Sequence, residues 1–302
     1  MSSKDPSAKV IRLSSRLGWR THKSSGKTGE KPKSNARVIA ITSGKGGVGK
    51  TSIVANLGYD FTKLGQKVLI FDADMGLGNL DVLLGLSPRY NLSHVIAGEK
   101  SIGDVLVTGP GNMKILPASS GIQELTQLTR EQKIQVLTQL DALIDEVDIL
   151  FIDTAAGISS NVMDFNATAQ EIVVVVSPEP TSITDAYALM KVLSLKYSEK
   201  GCKLLVNMTG RPDEGREVFR QLHLVTEKFL DISIEYLGCV LYDDNVPRGV
   251  KSQKIVSQLY PDSHASKCFK EIARKISAMP PENVPKGGSN LFWQHLVQNN
   301  CA

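Results

Sequence analysis

The sequence predicts an α/β fold, a mainly parallel twisted sheet with helices on both faces, and three observations lead there. Short apolar runs recur along the chain: Val38 to Thr42, Val68 to Phe71, Ile149 to Ile152, Ile172 to Val176, Leu204 to Val206 and Tyr236 to Val240. Near-continuous apolar strands of this kind are buried on both faces. Between them lie helical stretches, among them Leu128 to Glu146, Thr181 to Tyr197 and Glu214 to Phe229, and such alternation implies parallel pairing. Finally, aspartates and glycines follow the strands directly, at the edge where open α/β sheets carry their sites.

With 302 residues, 41% hydrophobic and 22% charged, the chain can bury the core of one large domain. We expect that domain over 37–280, a basic flexible arm over 1–36, and a linker with an amphipathic tail over 281–302. The formal charge of +4 is unevenly placed, because ten Lys and Arg up to and including Arg37 face only Asp5 and Glu30. The remainder is therefore acidic, and direct nucleic-acid binding by the body is not expected. Lys23 to Ser34 lacks apolar residues and reads as a linker; ahead of it Val10, Ile11, Leu13 and Leu17 allow a short helix. No signal-peptide apolar region is present and the apolar runs are too short to span a bilayer, so a cytoplasmic location is expected.

The first strand leads into Gly44-Lys45-Gly46-Gly47-Val48-Gly49-Lys50-Thr51 and then the helix-like Ser52 to Leu57. The spacing G-x-x-x-x-G-K-T between strand and helix matches a phosphate-binding loop, whose glycines let backbone N–H groups close on phosphate oxygens at a helix N-terminus. Lys50 would reach the β and γ phosphates and Thr51 would ligate magnesium. A glycine-rich turn with adventitious lysines is the alternative, and the flanking strand and helix argue against it.

The second strand ends at Asp72-Ala73-Asp74, and the segment that follows to Pro117 offers small helices and a short strand from Met113 to Leu116. In Leu128 to Glu146, Ile134, Leu137, Leu140, Leu143 and Ile144 mark the packing face. The next apolar run ends at Asp153, before a glycine turn at Gly157. Cys202, Cys239, Cys268 and Cys301 are scattered, without a C-x-x-C pair. Structural thiols are expected rather than a metal cluster.

A lysine at position 45, directly after the first loop glycine, resembles the deviant phosphate loop of the MinD/ParA family of ATPases. The resemblance implies ATP/ADP and Mg2+ as ligands, and a Lys45 that crosses a dimer interface to the partner's nucleotide. Asp72 to Asp81 resembles that family's switch I, implying that Asp74 positions the attacking water while Asp72 lies near magnesium. Ile149 to Gly157 resembles Walker B running into switch II, implying that Asp153 holds a magnesium-bound water and that the Gly157 N–H senses the γ-phosphate. Asn207 matches the position that reads the adenine edge, with a buried capping asparagine as the alternative. Tyr242 and Asp243 fall in the base-binding loop.

The segment Glu179-Pro180-Thr181-Ser182-Ile183-Thr184-Asp185-Ala186-Tyr187-Ala188-Leu189, together with the two aspartate motifs, resembles the FlhG/FleN branch, the flagellar-number regulators. That implies an ATP-dependent homodimer and the inner membrane surface as a binding site. Implied partners are an FlhF-type GTPase, flagellar switch components or a flagellar transcription activator. The tail clusters Phe292, Trp293, Leu296 and Val297 on one helical side and resembles the family's membrane-targeting helix; packing on its own domain is the alternative. A ParA-type DNA partition ATPase is the second functional reading, and a metal-cluster carrier the third.

Overall fold

A computed structural model describes residues 36–76, 78–118 and 128–281. Residues 1–35 of the arm, and the tail residues Phe292, Trp293, Leu296 and Val297, lie outside the described residues.

Eight strands form one sheet in the order β3-β4-β2-β5-β1-β6-β7-β8. They are β1 (Arg37–Ser43), β2 (Val68–Ala73), β3 (Val107–Thr108), β4 (Lys114–Leu116), β5 (Ile149–Ala156), β6 (Glu171–Val176), β7 (Gly201–Thr209) and β8 (Ser233–Leu241). All neighbours pair in parallel except β3 with β4. The helices in chain order are α1 (Lys50–Lys63), α2 (Leu80–Leu83), α3 (Leu92–Ile96), α4 (Ile102–Val105), α5 (Arg130–Ile144) and α6 (Ser160–Thr168). They continue with α7 (Pro180–Tyr197), α8 (Pro212–Phe229), α9 (Asn245–Lys251), α10 (Val256–Leu259) and α11 (His264–Ala278).

Side chains alternate across a strand, so one apolar run fills two cores. In β1, Ile39 and Ile41 join the layer containing Ile53, Leu57 and Phe61 of α1 and Phe269 and Ile272 of α11. Val38 and Ala40 face the other way, with Leu137 and Leu140 of α5. Further along the sheet, Val174, Val176, Leu204 and Val206 pack on Leu189 and Leu193 of α7 and Leu222 of α8. Both faces are covered, as continuous apolar strands require.

Four local expectations are corrected. β5 continues past Asp153 to Ala156, because its ladder with β1 resumes at Ser43↔Ala156 after an irregularity. The two-residue β3 carries no periodicity that sequence could register. On α5, Val136 and the aliphatic stem of Lys133 are buried, whereas Ile134 and Ile144 are only half-buried, since Lys133 turns inward to pair with Asp164 of α6 at 2.6 Å. Arg37, counted with the arm's cations, is a buried strand residue bonded to Glu171 and to the carbonyl oxygens of Ile276 and Met279. It joins the start of β1 to the end of α11.

Candidate functional site

The loop Gly44–Gly49 connects the C-terminal end of β1 to α1. Gly47 and Gly49 adopt φ of 80° and 90°, the left-handed region that favours glycine. Crowding constrains two other contacts. A Cβ on Gly44 would lie 2.2 Å from the Asp185 carbonyl oxygen, and one on Gly49 would lie 2.4 Å from Asn207 Nδ2. Gly46 and Gly47 have nothing within 4 Å of such a Cβ, so the middle of the loop is its open side. Val48 is buried beneath it as an anchor, and its carbonyl accepts from Asn207 Nδ2 at 2.8 Å. No acidic side chain of α1 itself occupies its first turn, where Lys50, Thr51 and Ser52 stand; the carboxylate that faces this positive end is Asp153 of β5.

Lys50 Nζ donates to Ser43 Oγ at 2.9 Å. Burial lowers its pKa, while the nearby charges of Asp153 and Asp74 oppose that shift. Asp153 is pushed up to about 7 by burial, with the Thr51 hydroxyl bond and Lys50 pulling it down and Asp74 pushing it up. Its Oδ1 is buried without a hydrogen-bond partner. Asp72 is raised well above the usual carboxylate range by burial and then by the charge of Asp153. Both its oxygens are used by its own loop, Oδ1 accepting from the Asp74 N–H at 3.1 Å and Oδ2 from the Leu80 N–H at 3.3 Å.

These residues fit magnesium. A hydroxyl and carboxylates are hard oxygen donors, and the orphaned, buried Asp153 oxygen beside a second carboxylate is a place that a cation would relieve. Among the described residues no cluster of three or more His, Cys, Asp or Glu makes a metal cage by itself. Magnesium needs none, since it binds through one or two carboxylates with phosphate oxygens and waters. Asp153 and Thr51 offer free capacity; Asp72 is placed to shape the loop.

The remaining residues divide. The Gly157 N–H donates to the Ser43 carbonyl at 2.9 Å, with φ of 95° and open space around its Cα. Lys45 Nζ is held by the Glu179 carboxylate and by Thr181 Oγ1 of its own chain. Asp243 is partly buried, yet hydrogen bonds from the Ala265 and Asn245 N–H groups and from Ser263 hold its carboxyl below the usual range. Its two oxygens therefore tie the loop after β8 to the N-terminus of α11. Tyr242 is 62% exposed, its hydroxyl on Asp244 at 3.1 Å.

Comparison with known proteins places this geometry. The model of a family described as "AAA domain" matches residues 36–204. The Antiactivator FleN of Pseudomonas aeruginosa is 43% identical over 263 residues, covering 87% of this chain and 94% of FleN. The chain belongs to the FlhG/FleN family of MinD-type ATPases. The Flagellum site-determining protein YlxH of Helicobacter pylori is 33% identical over 88% of this chain and 91% of its own. Among solved structures, the cell division ATPase MinD of Pyrococcus furiosus superposes with a TM-score of 0.68 at 25% identity, covering 80% of this chain and 98% of that one.

Sequence reasoning missed Ser43, whose hydroxyl accepts from Lys50 and donates to the Lys45 carbonyl at 2.7 Å. Its position just before the first loop glycine was the available signal. Glu179 and Thr181 stood out only as a family marker, without a role. Among the described residues no helix is long and apolar enough to cross a membrane.

Proposed function

We propose that this FlhG/FleN-family ATPase is an ATP-dependent dimerisation switch. ATP would close a homodimer that binds the membrane through its tails, hydrolysis would release it, and the output would be control of flagellar number or placement. The observation that carries the reading is the convergence of Lys50, Thr51, Asp74 and Asp153 beneath an open glycine loop at one helix N-terminus.

In this reading the loop N–H groups and the N-terminus of α1 receive the β and γ phosphates. Lys50 exchanges Ser43 for a phosphate oxygen, a contact that offsets the cost of its burial. Thr51 and Asp153 would hold magnesium, with Asp72 ordering the loop beside them. Held by those two residues, magnesium would supply positive charge to offset that developing on the transferred phosphoryl group. Asp74 orients the attacking water. The Gly157 N–H trades the Ser43 carbonyl for the γ-phosphate, so the turn after β5 senses whether that phosphate is present. Asn207 holds Val48 with one amide hydrogen and would offer the other to an adenine edge, with Tyr242 in the loop after β8 as a further contact to the base. Lys45 reaches the partner's nucleotide.

The names of the relatives support a flagellar output, and FlhF-type GTPases, switch components or a transcription activator are the partners to test. Lys45→Ala should leave ATP binding by the monomer nearly intact and prevent dimerisation. Analytical sedimentation with a slowly hydrolysed ATP analogue measures this, and a normal dimer from the variant would overturn the switch.

A further inference from the structure

We propose that Glu179 and Thr181 are positioning residues for Lys45: they retain its ammonium within its own chain in the monomer, and dimerisation requires the partner's phosphate to displace them. The inference rests on Lys45 acting across the dimer.

Three features of the fold support it. Lys45 Nζ contacts the Glu179 carboxylate and lies 2.9 Å from Thr181 Oγ1. Glu179 is the N-cap of α7, a place where Asn, Asp, Ser or Thr usually bonds the orphan N–H groups, yet its side chain makes no capping bond. Its carboxylate is turned to the lysine instead. A lysine at a helix N-terminus meets the positive end of the dipole, so Lys45 rests there because a carboxylate offsets that field.

The third feature is rigidity. Gly44 sits so close to α7 that a Cβ would lie 2.2 Å from the Asp185 oxygen and 2.8 Å from the Ala186 nitrogen. Ser182 Oγ accepts from the Ser177 N–H at 3.0 Å and pins the entry to the helix. Pro180 at the first helical position fixes the backbone between them. The start of the phosphate loop and the start of α7 therefore move together, and the Lys45 side chain is the part free to swing.

The pair is poised to break. Side-chain exposure is 35% for Lys45 and 62% for Glu179, so solvent screens their attraction. Exposed pairs of this kind shift an equilibrium by about one- to five-fold. A triphosphate, with more charge, competes well. Because a two-fold dimer releases both lysines, the factor is squared, to at most about 30-fold.

The test uses Glu179→Gln and Thr181→Val in the full chain. In nucleotide-free protein, acylation of the Lys45 amine, followed by mass spectrometry, should speed up in both variants. With a slowly hydrolysed ATP analogue, the dimer dissociation constant should fall, by up to about 30-fold for Glu179→Gln, while monomer nucleotide affinity and melting temperature stay unchanged. The gap from the parent protein should narrow in high salt. A weaker dimer from Glu179→Gln would mean that the carboxylate presents Lys45 to the partner, and the proposal would be overturned. Unchanged acylation and unchanged dimerisation in both variants would also overturn it. If Lys45→Ala dimerises normally, the cross-dimer role itself fails, whatever the Glu179 variant does; if Lys45→Ala stays monomeric while Glu179→Gln behaves as the parent, only the retention fails.

Discussion

Asp72 and Asp153 are register partners on adjacent parallel strands, β2 and β5, and each is only 2% exposed. Two carboxylates side by side in a poorly solvated layer disfavour each other's charge. The protein tolerates this because Asp72 collects two N–H bonds from its own loop and Asp153 takes the Thr51 hydroxyl bond, leaving one Asp153 oxygen without a partner. That arrangement costs stability in the free protein, a cost that a bound cation would offset. Asp153→Asn should therefore raise the stability of the nucleotide-free protein by about 1–2 kcal/mol, the usual scale for relieving a functional site. Magnesium-dependent ATP affinity should fall together with turnover. Denaturant melts and nucleotide titrations with and without magnesium check both; a variant less stable than the parent would contradict the strain assigned to the pair.

Lys50 and Asp74 share the site but should differ in consequence. On the proposed reading the Lys50 ammonium contacts phosphate, so Lys50→Ala should lose ATP binding. Asp74→Ala should bind ATP normally and lose about 10²- to 10⁴-fold in turnover, the range for groups that handle the attacking water's proton. Fluorescent-nucleotide binding and phosphate release separate the two effects. Equal loss of affinity would remove the division of roles.

The glycines of the loop are not equivalent. Gly44→Ala places a methyl 2.2 Å from the Asp185 carbonyl carried by a rigid helix. The expected cost is about 1–3 kcal/mol, with the loop displaced from α7. Gly46→Ala meets nothing within 4 Å and should leave the melting temperature unchanged. Thermal denaturation of the two variants without nucleotide makes the comparison.

What could be read in advance followed contiguity. A phosphate loop needs its glycines, lysine and threonine in one run, and buried parallel strands advertise themselves as apolar runs, so both were legible residue by residue. Contacts between distant segments were not. Lys45 meets Glu179 across 134 positions, and Val48 meets Asn207 across 159. Nothing local in either partner declares that contact. β5 looked finished at Asp153 because the apolar run stops there, yet pairing with β1 carries the backbone on to Ala156. Ladder hydrogen bonds are indifferent to side-chain polarity, and sequence reads side chains.

Away from the site, Asp60 of α1 has its carboxyl pushed up to about 6 by burial, against the Ser257 hydroxyl at 3.2 Å and the charges of Lys270 and Lys63. A carboxyl with a folded value above its unfolded one favours the folded state while protonated. That contribution is fully present below about pH 4 and is lost as pH rises through about 6. Asp60→Asn keeps an acceptor for Ser257 and removes the titration. The variant should be more stable than the parent by about 1–2 kcal/mol at pH 7.5, after discounting for partial solvent screening, with the difference shrinking toward pH 4.5. Denaturant midpoints at the two pH values decide; a gap independent of pH would assign the effect to packing.

The tail prediction follows from the linkage between dimerisation and membrane binding. If the tail forms the helix that its sequence predicts, Phe292, Trp293, Leu296 and Val297 would together bury enough apolar surface for only a few kcal/mol, at ~25 cal/mol per Å². One copy on a monomer would be a weak anchor. Two copies on the proposed dimer would make the second insertion local, at an effective concentration of around a millimolar for a short flexible linker, so avidity would rise without a new contact. Liposome co-sedimentation should therefore increase with ATP, decrease with ADP and vanish when residues beyond Gly288 are removed, while ATP-driven dimerisation survives the truncation. Membrane binding that ignores nucleotide, or persists without the tail, would shift the anchor to the basic arm, with its cations from Lys4 to Lys33. Loss of the dimer on truncation would instead make the tail a structural part of the domain, and the anchor reading would be withdrawn.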